Sequence, residues 1–313
     1  MPHVLCIDLD RARAPWLPPD CTDALHAQVF AWLRIADSRQ AQQVHDRGQS
    51  PGDLRTVQSG GEDASMLPAT RFPVFTVGSA NTDIPRHRSR IRPRADGYII
   101  NVLPSDERFF QLLTEGMHSA AEQSEAGTYV VQVNGIDVPM RSAPVVMHEA
   151  EGSYDDLFQR ASDDRRIRLR FTTPAFFSSG TGKQQVFQRL PDPVRVFRGY
   201  ADRWNAFAPP DQHFDAVAFA KWVEQTVEIA DMRLHMHRQV LKQRDAHDER
   251  TVHIGFVGDV TYGLAHHARH SQSAEVRMGV RWLNVLAHYA EFCGTGRMAA
   301  QGFGQTWRMF DEE

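Results

Sequence analysis

The sequence predicts an α+β protein made of two ferredoxin-like domains in tandem, and three observations carry that prediction. At 313 residues the chain is long enough for two cores, since a domain usually takes roughly 100–200 residues. Each half shows the order β-α-β-β-α-β, the split βαβ arrangement. A polar stretch from Glu149 to Asp164 separates the two runs, so the expected domains are 1–150 and 151–313.

In the first half, Val4 to Leu9 reads as a strand. The turn-rich Ala14-Pro15-Trp16-Leu17-Pro18-Pro19 leads into an amphipathic helix over Thr22 to Ile35, with Leu25, Val29, Trp32 and Leu33 at helical spacing. Residues 48 to 70, rich in Gly, Ser, Pro, Asp and Gln, read as a loop, and Phe72 to Val77 resumes as a strand. Asp96-Gly97 before Tyr98 to Leu103 signals a hairpin, and Ser105 is the expected cap of a helix through about Met117. Tyr129 to Val133 and Ile136 to Met140, joined by Asn134-Gly135, form the next hairpin. The second half repeats the order in outline: strand Arg166 to Thr172, helix Pro193 to Phe207, a helix from Asp215, a long hairpin near 229 to 241 and 251 to 264, helix Ala274 to Phe292, and a last strand from Phe303. No sequence-level repeat accompanies this order.

Composition excludes several classes. With 42% apolar and 24% charged residues the chain is ordinary globular protein. No apolar run reaches the ~18 residues of a membrane span, and acids occupy the opening where a signal peptide is apolar. Cys6, Cys21 and Cys293 share no short spacing, which argues against a disulfide framework and a cysteine zinc site. A reducing cytoplasm is the expected compartment, and no cofactor is expected. The net charge is −4, and neither half is basic, so bulk charge does not support nonspecific duplex binding. Arg supplies 32 of the 35 basic residues. Its planar guanidinium is the better bidentate phosphate ligand, although a GC-rich genome produces the same bias, so only the placement of arginines is informative.

Three alternations are informative. Arg86, Arg88, Arg90, Arg92 and Arg94 project to one side of an extended chain, either as phosphate ligands or as the charged guard of an edge strand. Arg166, Arg168 and Arg170 alternate with apolar Ile167, Leu169 and Phe171, the pattern of a strand with one buried face. Arg233, His235 and His237 share a third face, where the two histidines lack a carboxylate or cysteine at metal-ligand spacing, so no metal site is expected. Residues 294 to 305 carry Gly294, Gly296, Gly302 and Gly304 around Arg297. Such a loop either brings backbone N–H groups to a phosphate or makes a tight helix-to-strand turn. It follows a helix and precedes a strand, the reverse of a dinucleotide fingerprint.

That loop, the preceding Trp282-Leu283-Asn284 to Phe292, and Gly255-Phe256-Val257-Gly258-Asp259-Val260-Thr261-Tyr262 together resemble the carboxyl-terminal domain of the CRISPR precursor-RNA processing endoribonucleases, the Cas6 branch of the RAMP superfamily. The resemblance extends through Arg170-Phe171-Thr172-Thr173-Pro174, Leu190-Pro191-Asp192-Pro193 and Arg203-Trp204-Asn205. In the first half, the opening strand, the helix around His26 to Arg34, Val44-His45-Asp46 and Phe75-Thr76-Val77-Gly78-Ser79 follow the family's order.

The resemblance implies two RRM-like domains gripping one CRISPR repeat RNA, metal-independent cleavage to crRNA with a 2′,3′-cyclic phosphate and a 5′-OH, a protein that is a monomer or a dimer, and association with a CRISPR effector complex. It marks His45 as the catalytic histidine just after the first helix, and the glycine loop with Arg297 and the arginine faces as RNA contacts. Three departures stand out. Phe30 occupies the place where many members carry tyrosine, and His26, four residues earlier on the same face, is the expected stand-in. Arg71 replaces the family's lysine as the cation. Met298-Ala299 replaces Lys-Thr in the glycine loop. These departures leave two further readings: a repeat-RNA binding subunit that no longer cuts, and, ranked last, a backbone or capping subunit of an effector complex.

Overall fold

The computed structural model describes residues 2–10, 12–16, 21–49, 73–79, 97–124, 127–147, 153–179, 184–240 and 252–310. The first half runs through β1 (His3–Asp8), α1 (Thr22–Ala36), α2 (Ser38–Gln49), β2 (Phe75–Ser79), β3 (Gly97–Val102) and α3 (Glu107–Gln123). The hairpin β4 (Val130–Val133) and β5 (Ile136–Pro139) follows, and then β6 (Val145–Met147). The sheet order is β2-β3-β1-β6, with every pair antiparallel. Leu5 and Ile7 of β1 are fully buried and face the helices, as the period-two pattern requires.

Two features of this half differ from the sequence reading. The fourth strand is the three-residue β6, whereas the Asn134-Gly135 hairpin forms a separate two-stranded sheet, joined to the chain after β1 by the Leu9–Met140 bridge and the Asp10 N–H bond to Pro139 O. Asn134 and Gly135 both take positive φ (58° and 78°), the primed turn that closes a hairpin without outside help. Its buried Val131, Val133 and Val138 join the core, and the Gln132 N–H donates to Gln28 Oε1 of α1 at 2.9 Å. Asp106, not Ser105, caps α3, with Oδ1 accepting the Arg108 N–H at 3.0 Å. The Ser105 N–H instead donates to Phe207 O of the second half at 3.0 Å.

The second half runs through β7 (Arg166–Ala175), the small hairpin β8 (Phe177–Ser179) and β9 (Val186–Gln188), α5 (Pro193–Phe207), α6 (Ala216–Thr226), β10 (Val227–Val240), β11 (Val252–Leu264), α7 (Ala274–Cys293) and β12 (Thr306–Met309). Its sheet order is β10-β11-β7-β12, again antiparallel throughout. Both sheets place their strands as second, third, first and fourth, so the molecule is two ferredoxin-like folds in tandem. Asp192 caps α5 and Pro193 fills its first turn, while Asp215 caps α6 by accepting from Val217 and Ala218, the start signals legible in the sequence. None of the described helices is long and apolar enough to cross a membrane.

The polar stretch between the halves is not a bare linker. It contains α4 (Tyr154–Gln159), which sinks Tyr154 into the core against Trp204 and Tyr289. The Tyr154 hydroxyl donates to Leu103 O at 2.7 Å, tying the first half to the second. A second tie runs from Thr76 of β2, whose Oγ1 donates to Phe292 O at 2.7 Å, and Asn101 of β3 donates to both Thr76 Oγ1 and Glu291 O. Around it Val4 and Ile99, on the outer face of the first sheet, meet Trp307 and Met309 of β12.

Two stability predictions follow from this packing. α1 and α3 cross where Gly116 faces Trp32, and a Cβ there would lie 2.0 Å from Trp32 O. Gly116→Ala is expected to destabilise the fold by about 1–3 kcal/mol, the usual cost of overpacking, read as a lower urea midpoint. The Glu291 carboxyl is pushed up to about 7 by burial, against the opposing pull of the Arg308 N–H and charge. A carboxyl raised in the folded state holds its proton more tightly there than in the unfolded chain. Its contribution is therefore complete below its ordinary value of 4.5 and lost as pH rises through about 7. The unfolding temperature is expected to fall between pH 5 and pH 8 (about the window set by those values), and Glu291→Gln is expected to flatten that slope.

Candidate active site and nucleic-acid interface

α1 and α2 meet at a bend around Asp37, whose carboxylate accepts from the Arg39 and Gln40 N–H groups. His45 therefore lies on a second helix rather than just beyond the first. The fold brings it to the residues expected to act with it. The Phe30 ring lies 5.1 Å from His26, 5.7 Å from His45 and 5.6 Å from Phe75 of β2, each in an edge-on arrangement. His26 also lies 5.7 Å from Phe75. Phe30 is buried while both histidines are half-buried, so two titratable rings reach the surface around an apolar floor. A phenylalanine at the centre carries no proton; only the imidazoles do. Arg71 and the alternation from Arg86 to Arg94 lie outside the described residues.

The glycine loop of the second half packs directly beside this cluster. A Cβ on Gly302 would lie 2.6 Å from the Thr22 side chain, in the first turn of α1, and one on Gly78 of β2 would lie 2.7 Å from the Gln305 side chain. His26 is one helical turn past Thr22, a rise of about 6 Å. The loop itself is built by internal bonds. Gly294 N–H donates to Ala290 O, Gly302 N–H to Ala299 O and Gly304 N–H to Pro174 O, while Thr295 N–H and Arg297 N–H donate to Gly304 O and Phe176 O. These amides are turned inward. Gly294, Gly296, Gly302 and Gly304 all have positive φ, and a Cβ at Gly296 would lie 2.2 Å from Phe176 O. The close approach they permit is to the protein's own backbone.

Most of the motif residues hold this loop in place. Arg203 Nη2 donates to Gly296 O, the Tyr200 hydroxyl bonds Thr295 Oγ1, and Thr295 Oγ1 meets Thr306 Oγ1 at 2.6 Å. Trp204 and Asn205 fasten the chain after α5 by donating to Gln212 O and Phe214 O. Burial and the low-dielectric setting push the Tyr200 hydroxyl far above its ordinary value, so it stays a neutral hydrogen-bonding group.

Arg297 remains half-buried at the rim, where its Nη1 donates to Ser178 Oγ at 2.8 Å. Beside it the sequence reading missed His253. This ring stacks on Phe176 at 5.3 Å and meets Phe303 at 5.6 Å, and burial, aided by the Arg297 charge, lowers its pKa. Nothing in its sequence neighbourhood marks it, because Phe176, Phe303 and Arg297 come from three separate segments.

The second sheet supplies the basic face. The register sets Arg170 and Arg233 opposite Asp259, one on each side of the central β11, so all three share a face with Arg166, Arg168, His235 and His237. Asp259 changes what that face can do. Arg170 Nε and Nη2 bind its carboxylate at 2.7 and 2.9 Å, and Arg168 Nη2 also binds it. Its pKa is held low chiefly by the Arg170 hydrogen bonds, with Arg168 adding to them against burial. Arg168 and Arg170 are thus half-neutralised, whereas Arg166 at the end of the strand, and Arg233, His235 and His237 on the outer hairpin, are exposed. The sequence showed the alternation of arginines but not the aspartate, which arrives 89 residues later in the chain.

Residues 169–306 match the family model described as CRISPR-associated endoribonuclease Cas6. No curated protein matches the chain. Among solved structures, a Cas6 product complex aligns with 99% of this chain and 100% of its own at a TM-score of 0.66 and 21% identity. A second Cas6 product complex covers 99% of both chains at a TM-score of 0.59 and 18% identity. Thermus thermophilus Cas6 covers 99% of this chain and 98% of its own at a TM-score of 0.58 and 20% identity. At these identities the likeness is one of fold, and it extends over both ferredoxin-like halves, whereas the family model reaches the second half alone. Over residues 169–306, within the second half, the chain is thus similar to the CRISPR-associated endoribonuclease Cas6 family.

Proposed function

We infer that this protein cuts CRISPR repeat RNA without a metal ion, with residues 1–150 as the domain that carries the proton-transfer groups and 151–313 as the domain that carries the glycine loop. The family match and the fold shared with Cas6 product complexes support repeat-RNA processing. The observation that carries the cleavage reading is the pair of half-buried histidines around Phe30, set beside the glycine loop of the other half. In the reaction a base takes the 2′-OH proton as the O2′–P bond forms, and an acid protonates the 5′-oxygen as the P–O5′ bond breaks. The products are a 2′,3′-cyclic phosphate and a 5′-hydroxyl. Imidazoles titrate close to neutrality and suit both steps, so His45 and His26 take the two proton roles. Arg71 is assigned the charge that builds on the phosphoryl oxygens.

One observation favours a second reading. The ring between the two histidines is a phenylalanine in an apolar setting, and a subunit that binds repeat RNA without cutting it needs no more than this. Incubating the protein with repeat RNAs in excess chelator separates the two readings. One discrete cut supports the nuclease, and tight binding with no cut supports the binding subunit. His45→Ala is expected to slow single-turnover cleavage by about 10²-fold or more at little cost in affinity. A substrate with 2′-deoxyribose just upstream of the scissile phosphate is expected to bind and stay intact. Cleavage of that substrate at the normal rate rules out 2′-OH attack.

Binding is assigned to Arg166, Arg168 and Arg170, to Arg233, His235 and His237, and to the glycine loop through Arg297. Because Asp259 already engages Arg168 and Arg170, these arginines are not equivalent. Arg166→Gln is expected to weaken RNA binding and make its salt dependence shallower by about one phosphate contact. Asp259→Asn, which releases two guanidinium groups, is expected to strengthen binding and steepen that slope in the same titration.

A further inference from the structure

The end of the second sheet that lies away from the glycine loop holds a cavity of about 450 Å³. β7 starts there at Arg166, whereas its other end meets the loop, where the Gly304 N–H donates to Pro174 O. The length of the ten-residue β7 therefore separates the two places, about 30 Å at the usual rise of a strand. Small residues open the cavity. The register of β10 on β11 shifts between Ile229 and Asp231, so Ala230 is the extra residue of a bulge. Beside it β11 carries Gly263, where a Cβ would lie 3.3 Å from the Ala230 Cβ. Bulges and strand glycines of this kind leave room for close approach. Gly263 and Leu264 are buried and form the floor.

The walls are cationic. Arg165 and Arg166 reach the cavity from the start of β7, and Arg269 and His270 from the turn after β11. Arg165 holds that turn: its Nη1 donates to Ala268 O and Arg269 O at 3.2 and 2.7 Å and its Nη2 to Ser271 O at 2.8 Å, which fixes Arg269 and His270 at the rim. The charge of this guanidinium thus meets carbonyls rather than a carboxylate. Glu228 engages the wall from outside, 3.4 Å from Arg269 in an exposed pair, and such pairs contribute little. Arg166, unlike Arg168 and Arg170, binds no carboxylate among the described residues. Positive charge arriving from two sides suits a compact anion with oxygens in several directions. A phosphomonoester presents three terminal oxygens and up to two negative charges, which guanidinium forks bind bidentately, whereas a carboxylate presents two oxygens in one plane. The volume falls among small-ligand sites and exceeds a phosphate group alone, leaving room for a sugar and a base over Gly263 and Leu264. We propose that this cavity is a binding site for a phosphomonoester of mononucleotide size. It shares Arg166 with the face assigned to RNA but is otherwise separate from it, and it does not depend on whether the chain cuts RNA.

The test is isothermal titration calorimetry of the full chain with AMP, with adenosine and with a 5′-phosphorylated trinucleotide RNA. AMP is expected to bind and adenosine is not, since the cavity grips the phosphate. Ala230→Leu fills the cavity without changing its charge, and Arg269→Gln removes one cation, both at exposed positions. Each is expected to weaken AMP binding by about tenfold or more, the usual order for a lost charged contact, at an unchanged unfolding temperature. If Ala230→Leu disturbs the fold, Arg269→Gln alone decides. His45→Ala is expected to bind AMP as the wild type does, which keeps this result apart from the nuclease reading. AMP binding at least as tight as that of the trinucleotide assigns the site to free nucleotides, and tighter binding of the trinucleotide assigns it to the 5′ end of an RNA. No AMP binding at millimolar concentration overturns the proposal, as does adenosine binding as tightly as AMP or an AMP affinity that the variants leave unchanged.

Discussion

The backbone of residues 294–305 lies so close to its neighbours that side chains are excluded at three positions, and the arrangement of the two halves depends on that closeness. Gly296 leaves room for Phe176 O, Gly304 for Thr295 O and Gly302 for the Thr22 side chain, while Gly294 lets α7 turn into the loop at positive φ. Hydrogen bonds fix what the glycines allow. Arg203, Tyr200, Thr173 and Thr306 each bond a group of the loop, and Thr76 and Asn101 bond the end of α7 just before it. Buried donors and acceptors held in this way have no solvent to fall back on, so the geometry is stiff. A stiff loop set against the first turn of α1 fixes the second half relative to the strand and helix that carry Phe75, His26 and Phe30.

The glycines therefore act one step removed from any ligand. A glycine-rich loop suggests phosphate because exposed N–H groups attract anions, yet here most of the N–H groups are bonded to carbonyls of the same chain. What the loop offers outward is the Arg297 side chain, placed by Ser178 and adjoining the His253 ring, whose pKa burial lowers. The same division appears in the sheet. The sequence lays arginines along β7, and the register brings Asp259 between two of them, so the charge available to a polyanion is smaller than the residue count and is concentrated at Arg166 and the outer hairpin. In a chain of net charge −4, such local placement, not bulk charge, decides where a polyanion is attracted.

Helix boundaries and the long hairpin were legible in the sequence because their causes are local. Asp192-Pro193 and Asp215 start α5 and α6 through their own side chains and ring geometry, Asn134-Gly135 closes its hairpin through its own positive φ, and β7 announces its buried face by period two. The candidate histidines were legible only through resemblance, since neither His26 nor His45 has a neighbour in sequence that marks its chemistry.

What the sequence by itself determined was the class, the element order and the residues able to bear protons or charge, because propensity, capping and alternation act within a few positions. Tertiary structure alone decided that β6 rather than the Asn134-Gly135 hairpin completes the first sheet, that α4 is inserted between the halves through Tyr154, that Asp259 quenches Arg168 and Arg170, and that His253 joins Arg297. Each of these is a contact between segments far apart in the chain. Its energy comes from burial and register in the folded state, and the local pattern of neither partner records the other.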